Sequence, residues 1–419
     1  MNTVSTMAEN LIGSEIIKLA GEINEKIKQG QSIYNFTIGD FDPRVFPLPE
    51  ELENEIVQAY RQGHTNYPPA NGMLELRNAV VDWNQKMYGL SYDKEQILIS
   101  GGSRPLIYAI YNTILDAGEK VLYPVPSWNN NHYTHLNHGQ RLEVEATPEN
   151  NFMPTAAQLE PHLTEAALVA LCSPLNPTGT IFTEAALKEI CALILAENKK
   201  REGKRKPLYL LYDQVYGALL FNNEKHYTPV ELYPEMKAYT IFVDGISKAF
   251  AATGVRVGWA FGPSNVIDKM KAILSHIGAW SPKAEQVATA HYLMKHDYAD
   301  FLNHFKTEIY ARLTALYDGF KALKAEGFAL DVIQPQAAIY LTVRFDLVGK
   351  KIKGTGQQLN DMKAVSAYLL EKASLAIVPF YAFGAPADSP WFRVSVGTCK
   401  KEEIPEVFEL LRKALLELE

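Results

Sequence analysis

Residues 244–258 read DGISKAFAATGVRVG, a stretch that carries one lysine, Lys248, and one arginine, Arg256. Lys248 follows an apolar run, YTIFVD, which is typical of a buried strand. A buried amine is costly unless it has a partner or a covalent role, and desolvation lowers its pKa and makes it a nucleophile toward an aldehyde. The stretch therefore indicates a Schiff-base lysine with an arginine nearby for an anion, although a surface lysine after a strand is the commoner arrangement.

Around this stretch, short apolar runs alternate with helical patterns from residue 96 onward. The runs predicted as strands are QILIS, KVLYP, LVALCSP, PLYLLYDQVY, YTIFVDG and VGWAFGP. This alternation predicts an α/β fold, with a large domain whose mostly parallel sheet lies between helices and binds ligands at the carboxyl ends of its strands. A long helical pattern over residues 299–326, followed by AIYLTVRF and WFRVSVG, predicts a smaller α+β domain. An amphipathic pattern over residues 11–30 predicts an N-terminal helix.

Length and composition narrow the class of protein. A chain of 419 residues is too long for one core and predicts two or three domains. The formal net charge of -7 argues against a nucleic-acid partner, and the basic run KKREGKRKP at 199–207 is interpreted as a solvated connection. Three cysteines without CxxC spacing fit a reducing compartment, and no apolar run is long enough for a signal peptide or a membrane span. A cytoplasmic enzyme is the expectation.

Three further motifs follow predicted strands. SGGSR, residues 100–104, is a Gly-rich turn before a helix, where free N–H groups favour a phosphate. SPLNPTG, residues 173–179, holds Asn176 extended because a proline follows it. LLYDQVY ends a strand with Asp213, and a buried carboxylate of this kind requires a partner.

These motifs together resemble the class I/II aminotransferases, pyridoxal-phosphate (PLP) enzymes of fold type I, and the resemblance extends from Gly39 to Arg393. The resemblance implies a PLP-dependent aminotransferase that moves an amino group between an L-amino acid and a 2-oxo acid. It also implies that the N-terminal arm, residues 1–45, joins the small domain at 286–419, with the large PLP-binding domain at 46–285. A PLP-dependent C–S β-lyase or cyclising synthase of the same fold, and a non-catalytic PLP-sensing module, are the alternatives.

The resemblance also implies roles for individual residues. Lys248 would bind the cofactor covalently and act as general base and acid, Asp213 would keep the ring nitrogen protonated, and Trp128 would stack on the ring. The phenolic oxygen of the cofactor would be bound by Asn176 and Tyr216. The cofactor phosphate would be bound by Gly102, Ser103 and Arg256, and by Tyr67 of the neighbouring subunit of a homodimer. Gly39, Asn176 and Arg393 would border or bind the substrate, with Arg393 gripping its α-carboxylate.

This sequence departs from the family pattern at two positions. Many members carry a hydroxyl residue three positions before the lysine, where this chain has Gly245, so either the phosphate affinity is lower or the hydroxyl of Ser103 or Ser247 compensates. Arg104 lies in the first turn of a helix, where the helix dipole disfavours a cation. Its anion would be the cofactor phosphate, an acid of the partner subunit or a substrate side-chain carboxylate. The last option favours aspartate or glutamate as substrate with 2-oxoglutarate as acceptor, and Arg44 is a second candidate for that role.

Three histidines imitate the spacing of a metal site. His132, His135 and His138 are spaced three apart, but no carboxylate or cysteine joins them at ligand spacing. We therefore predict that the histidines form a solvated or packing face and that the protein uses no metal.

Overall fold

The computed structural model describes residues 3–11, 13 and 15–419. In these residues the α-helices are α1 (Thr6–Glu9), α2 (Glu15–Lys28), α3 (Glu50–Arg61), α4 (Leu74–Tyr88), α5 (Ser103–Ile114), α6 (Asn130–Leu136), α7 (Ala156–Leu163), α8 (Glu184–Arg201), α9 (Pro229–Leu232), α10 (Ile246–Ala249), α11 (Ser264–Ile277), α12 (Lys283–Lys295), α13 (Tyr298–Ala325), α14 (Met362–Ala373) and α15 (Ile404–Leu416). The strands are β1 (Tyr34–Asn35), β2 (Ile97–Ser100), β3 (Lys120–Val125), β4 (Gln140–Glu145), β5 (Ala166–Cys172), β6 (Tyr209–Asp213), β7 (Thr240–Gly245), β8 (Gly258–Phe261), β9 (Leu330–Val332), β10 (Tyr340–Phe345), β11 (Leu375–Ala376), β12 (Val378–Pro379) and β13 (Trp391–Ser395).

A seven-stranded sheet forms the centre of the large domain, in the order β2-β8-β7-β6-β5-β3-β4. All neighbouring pairs are parallel except those made by β8, which runs antiparallel to both β2 and β7. This arrangement confirms the predicted mostly parallel sheet. The edge strand β4, QRLEVE, was missed because only one of its six residues is buried and charges interrupt its apolar pattern.

Helices cover both faces of this sheet, as the buried runs of its strands require. Successive residues of β2 alternate between the two faces: Ile97 and Ile99 pack into the core that α4, α8 and α12 complete, and Leu98 packs into the core under α5 and α11. Two of these helices have a local signal for where they end or begin. Gly89, at φ 66°, ends α4, and a capping box between Thr155 and Gln158 begins α7.

A smaller unit contains the antiparallel sheet β12-β13-β10-β9, packed with α13, α14 and α15 around a separate core. This unit confirms the predicted α+β domain. The chain near the N-terminus reaches it, since β1 pairs in parallel with β11. The predicted helix over residues 11–30 corresponds to α2, and residues 12 and 14 lie outside the described residues, as do residues 1 and 2.

The packing of α12 and α13 bears on the boundary between the two domains. Helix α12 packs against α3 and α4, and Leu302 of α13 still belongs to the core of the large sheet. We therefore propose a boundary inside α13, later than the predicted residue 285. In the part of the chain that the structure describes, no helix combines the length and the hydropathy needed to cross a membrane.

Candidate active site

A cavity of about 530 Å³ opens at the carboxyl ends of the large sheet, where the small sheet approaches it. Eleven of the thirteen predicted site residues line this cavity; the other two, Gly102 and Tyr67, do not. The eleven are Gly39, Ser103, Arg104, Trp128, Asn176, Asp213, Tyr216, Ser247, Lys248, Arg256 and Arg393. The loops that follow β2, β3, β5, β6 and β7 supply most of them, because parallel strands end at the same edge of a sheet.

Lys248 lies on the single-turn helix α10, directly after β7. Its Nζ donates a hydrogen bond to the carbonyl oxygen of Gly39 at 2.7 Å. Burial lowers the pKa of Lys248 to about 8; Asp40 opposes this shift, and arginines around the cavity add to it. Half of the amine is therefore neutral near pH 8, which suits both a nucleophile and a general base.

Arg256 and the Gly-rich turn form an anion cradle. The Arg256 guanidinium donates to the carbonyl oxygens of Thr253 at 2.7 Å and Gly101 at 2.8 Å. A Cβ on Gly102 would overlap that guanidinium, so only glycine lets the turn approach it. Gly102 is also the N-cap of α5 and makes no side-chain cap, which leaves the first amides of α5 free for an anion.

Steric contacts explain why position 245 holds a glycine rather than a serine or threonine. A Cβ at this position would lie 2.9 Å from Gly258 Cα and 2.9 Å from the carbonyl oxygen of Val257. A serine or threonine would therefore require the backbone of β8 to move. Ser103 and Ser247 both line the cavity and offer hydroxyl groups instead.

Asp213 ends β6 with its side chain in the cavity wall. Burial raises the pKa of its carboxyl group to about 6, and a hydrogen bond from the Val215 amide at 3.1 Å partly opposes that shift. No lysine, arginine or histidine of the described residues forms an ion pair with it. A carboxyl group in this setting is suited to a protonated nitrogen of a ligand ring.

Arg393 is 2% exposed and projects from β13 of the small sheet. Its guanidinium donates to Asn176 Oδ1 at 3.0 Å and to the carbonyl oxygen of Thr37 at 2.6 Å, and no carboxylate of the described residues pairs with it. A Cβ on Gly39 would lie 3.4 Å from Nη1, so glycine keeps the approach to the guanidinium open. A buried cation without a carboxylate partner is suited to a carboxylate ligand.

Several residues that line the cavity were not predicted from the sequence, and Asp40 and Tyr340 are two of them with polar contacts at the site. Asp40 accepts a hydrogen bond from Thr253 Oγ1 at 2.6 Å, and its position next to Gly39 in FTIGDFD was an available signal. The Tyr340 hydroxyl lies 2.5 Å from the hydroxyl of Tyr216. These two tyrosines are 124 residues apart, and no local pattern predicts the contact.

Arg104 has an aromatic partner and no acidic one. Its Cζ lies 4.7 Å from the ring centroid of Trp128, a cation–π distance. The Arg104 side chain forms no ion pair or hydrogen bond with another described residue. Arg44, in contrast, pairs with Asp42 at 2.7 Å, is 85% exposed and does not line the cavity.

The remaining predicted residues lie outside the cavity. Tyr67 is 82% exposed, and its ring packs edge-on against Trp280 at 5.2 Å. His132 lies on α6, and burial lowers its pKa, whereas His138 follows the helix. His135 lies on α6 with Nε2 2.7 Å from the carbonyl oxygen of Met7. Within residues 3–11, 13 and 15–419, no group of three or more His, Cys, Asp or Glu side chains could hold a metal ion.

The cavity thus fits one particular kind of cofactor. The Arg256 cradle fits a phosphate, the desolvated Lys248 amine fits an aldehyde, and the Asp213 carboxyl fits a protonated ring nitrogen. Pyridoxal phosphate combines these three groups.

Comparison with known proteins supports this interpretation. A family model for class I and II aminotransferases matches residues 32–411. An aspartate aminotransferase from Bacillus sp. (strain YM-2) is 27% identical over 397 residues, covering 94% of this chain and 95% of the relative. The crystal structure of the Rhizobium meliloti aspartate aminotransferase matches with a TM-score of 0.91 at 27% identity over the full length of both chains. A Thermus thermophilus aspartate aminotransferase solved with maleate matches with a TM-score of 0.87 at 25% identity, over 99% of this chain and all of that one.

Proposed function

Because the chain belongs to the class I and II aminotransferases, we propose that this aminotransferase uses pyridoxal phosphate to move the amino group from L-aspartate to 2-oxoglutarate, which gives oxaloacetate and L-glutamate, and that it also catalyses the reverse reaction. The observation that carries the substrate assignment is that Arg393 and Arg104 line one cavity and neither pairs with a carboxylate of the described residues. A dicarboxylic amino acid supplies two carboxylates to two guanidinium groups. The maleate in the Thermus structure is a dicarboxylate too, which supports the assignment.

Neither alternative class is favoured. The similar proteins described above are named aspartate aminotransferases, and none of them is named a lyase, a synthase or a regulator. The substrate pair, the cofactor and the residue roles below are our proposal, and a cytoplasmic location stays a prediction.

We assign the binding of the cofactor to groups that surround the cavity. Ser103, Ser247, Arg256 and the backbone at Gly102 would hold its phosphate. Trp128 would stack on the ring, and Asn176 and Tyr216 would bind the phenolic oxygen. Pyridoxal phosphate, when bound, supplies an electron-poor ring that stabilises negative charge at the substrate Cα.

The chain itself would hold the substrate and move its proton. Arg393 would bind the α-carboxylate beside Gly39 and Asn176. Arg104 would bind the side-chain carboxylate with its guanidinium held against the Trp128 ring. Lys248 would bind the cofactor covalently and, once freed, would take the proton from the substrate Cα and deliver it to the cofactor carbon, with the reverse transfer when the second substrate is aminated. Burial lowers the pKa of this amine to about 8, which suits both directions of that transfer.

We also propose a homodimer in which Tyr67 reaches the phosphate in the neighbouring subunit. Tyr67 is 82% exposed and lies outside the cavity of its own chain, which supports a role across an interface. Other large apolar side chains, including those of Tyr60, Leu74 and Ile277, are exposed as well. A dimer interface would bury such side chains.

The substrate assignment is tested with Arg104→Gln. We expect KM for L-aspartate and L-glutamate to rise about 10-fold or more, because one carboxylate loses its cation, while L-alanine and aromatic substrates change little. Steady-state kinetics on the holoenzyme with each substrate give the comparison. Arg44→Gln is the matched control, since that arginine is exposed and paired with Asp42, and it should leave every KM unchanged.

Two outcomes would contradict the assignment. An equal loss of activity with all substrates would indicate that Arg104 binds the cofactor or stabilises the fold instead. A selective loss in Arg44→Gln instead would transfer the role to Arg44.

A further inference from the structure

The hydroxyl groups of Tyr216 and Tyr340 form a buried pair that the proposed mechanism leaves unexplained. Their oxygens lie 2.5 Å apart, their ring planes are inclined at 69°, and the side chains are 3% and 0% exposed. Tyr216 follows β6 of the large sheet, whereas Tyr340 begins β10 of the small sheet. The pair therefore joins the two domains at the wall of the cavity.

We propose that Tyr340 is a positioning residue for Tyr216: its hydroxyl donates to the Tyr216 oxygen and thereby directs the Tyr216 proton into the cavity, toward the phenolic oxygen of the cofactor. The inference rests on the proposed role of Tyr216.

A count of protons gives the direction of the hydrogen bond. Each tyrosine hydroxyl has one proton to donate and can accept as well. If the Tyr216 hydroxyl donates its hydrogen bond to the cofactor, the hydrogen bond between the two tyrosine hydroxyls must be donated by Tyr340. A bond accepted by a hydroxyl oxygen also strengthens the bond that the same hydroxyl donates.

The backbone fixes Tyr340 against the elements that carry Asn176 and Tyr216. The carbonyl oxygen of Gly179, in the SPLNPTG turn, accepts from the Ala337 amide at 2.9 Å, and a Cβ on Gly179 would overlap the Tyr340 carbonyl. The Ala338 amide donates at 2.8 Å to Leu219, whose own amide donates at 2.8 Å to the carbonyl oxygen of Tyr216. These main-chain contacts fix the position of the Tyr340 hydroxyl relative to the Tyr216 hydroxyl.

Tyr340 also contacts the proposed carboxylate site. The Arg393 Cζ lies 4.7 Å from the centroid of the Tyr340 ring, and a Cβ on Gly39 would lie 2.8 Å from the Tyr340 hydroxyl. The ring of Tyr340 therefore packs against the Arg393 guanidinium, while the hydroxyl of Tyr340 would donate to Tyr216. The two parts of one side chain can be separated by substitution.

The test is a spectroscopic titration of the purified holoprotein, in which the visible absorption of the bound cofactor is followed against pH. The variants are Tyr216→Phe, Tyr340→Phe and the double variant. A donor to the phenolic oxygen stabilises its negative charge and lowers the midpoint of this titration. We expect Tyr340→Phe to raise the midpoint by about half to one pH unit, roughly a threefold to tenfold change in proton affinity. Tyr216→Phe should raise it at least as much, and the double variant should match Tyr216→Phe alone.

Tyr92→Phe is the matched control, because the Tyr92 hydroxyl lies outside this cavity and is buried with no hydrogen-bond partner among the described residues. It should leave the midpoint unchanged. Tyr340→Phe should also keep KM for the amino acid near the wild-type value, since the ring under Arg393 remains. Tyr340→Leu, which removes the ring, should raise that KM.

The outcomes separate the two levels of the proposal. No shift in Tyr216→Phe would remove Tyr216 from the phenolic oxygen, and with it this part of the proposed function. A shift in Tyr216→Phe without one in Tyr340→Phe would overturn only the role of Tyr340. Additive shifts in the double variant would overturn it as well, because Tyr340 would then act independently of Tyr216.

Discussion

The buried carboxyl group of Asp213 makes the free energy of unfolding depend on pH. Burial raises the pKa of this carboxyl group in the folded chain to about 6, whereas its ordinary value is 3.8. The folded chain therefore binds the proton more tightly than the unfolded chain does. The stabilisation that results is complete below the unfolded pKa and is lost as the pH rises through about 6.

A comparison of Asp213→Asn with the wild type isolates this contribution. In the cofactor-free protein, the free energy of unfolding of the variant relative to wild type should rise by roughly 2 kcal/mol between pH 4 and pH 8, because asparagine carries no charge to bury. Urea unfolding at both pH values measures this difference.

The holoprotein is the control for this prediction. With the cofactor bound, the ring nitrogen offers the carboxylate a cationic partner, and the rise should disappear. A difference between variant and wild type that is the same at pH 4 and pH 8 in the cofactor-free protein would contradict the account.

At the scale of elements, the strands that matter for the site could be predicted from the sequence. The apolar runs before Lys248, Asp213 and Asn176 are β7, β6 and β5, and each strand is buried along most of its length. Such strands are recognised by composition and by the turns that bound them. Because parallel strands end at the same edge of a sheet, the residues that follow these strands were predicted to lie close together.

The contacts between elements could not be predicted in the same way. Asp40 meets Thr253 across 213 residues, and Tyr340 meets Tyr216 across 124. The steric cause of Gly245 likewise depends on Gly258, a residue of the neighbouring strand. Registers between strands and the approach of the small sheet decide these contacts, and neither is encoded in a local pattern.

At the scale of the whole molecule, the proposed exchange of Tyr67 between subunits can be tested by complementation. A Tyr67→Ala subunit and a Lys248→Ala subunit are co-expressed with different tags, and the hybrid dimer is purified by both. One of its two sites then contains Lys248 from one chain and Tyr67 from the other. In an unselected mixture, about a quarter of the sites would be of this kind, because half of the dimers are hybrids.

We expect the hybrid to recover activity at limiting cofactor, where each parent dimer is impaired. A hybrid of Lys248→Ala with Asp213→Ala is the matched control; it should recover none, since both residues line the same chain's cavity. Recovery in neither hybrid, or a fully active monomer in sedimentation, would place Tyr67 outside the neighbouring site.

The proposed reaction is tested most directly by following the amino nitrogen itself. The holoprotein is incubated with ¹⁵N-labelled L-glutamate and oxaloacetate, and the products are identified by mass spectrometry. The account predicts labelled L-aspartate and an equal amount of 2-oxoglutarate, with no transfer by Lys248→Ala. Label released as ammonium would contradict it. Parallel incubations in which label reaches pyruvate or phenylpyruvate but not oxaloacetate would contradict it as well.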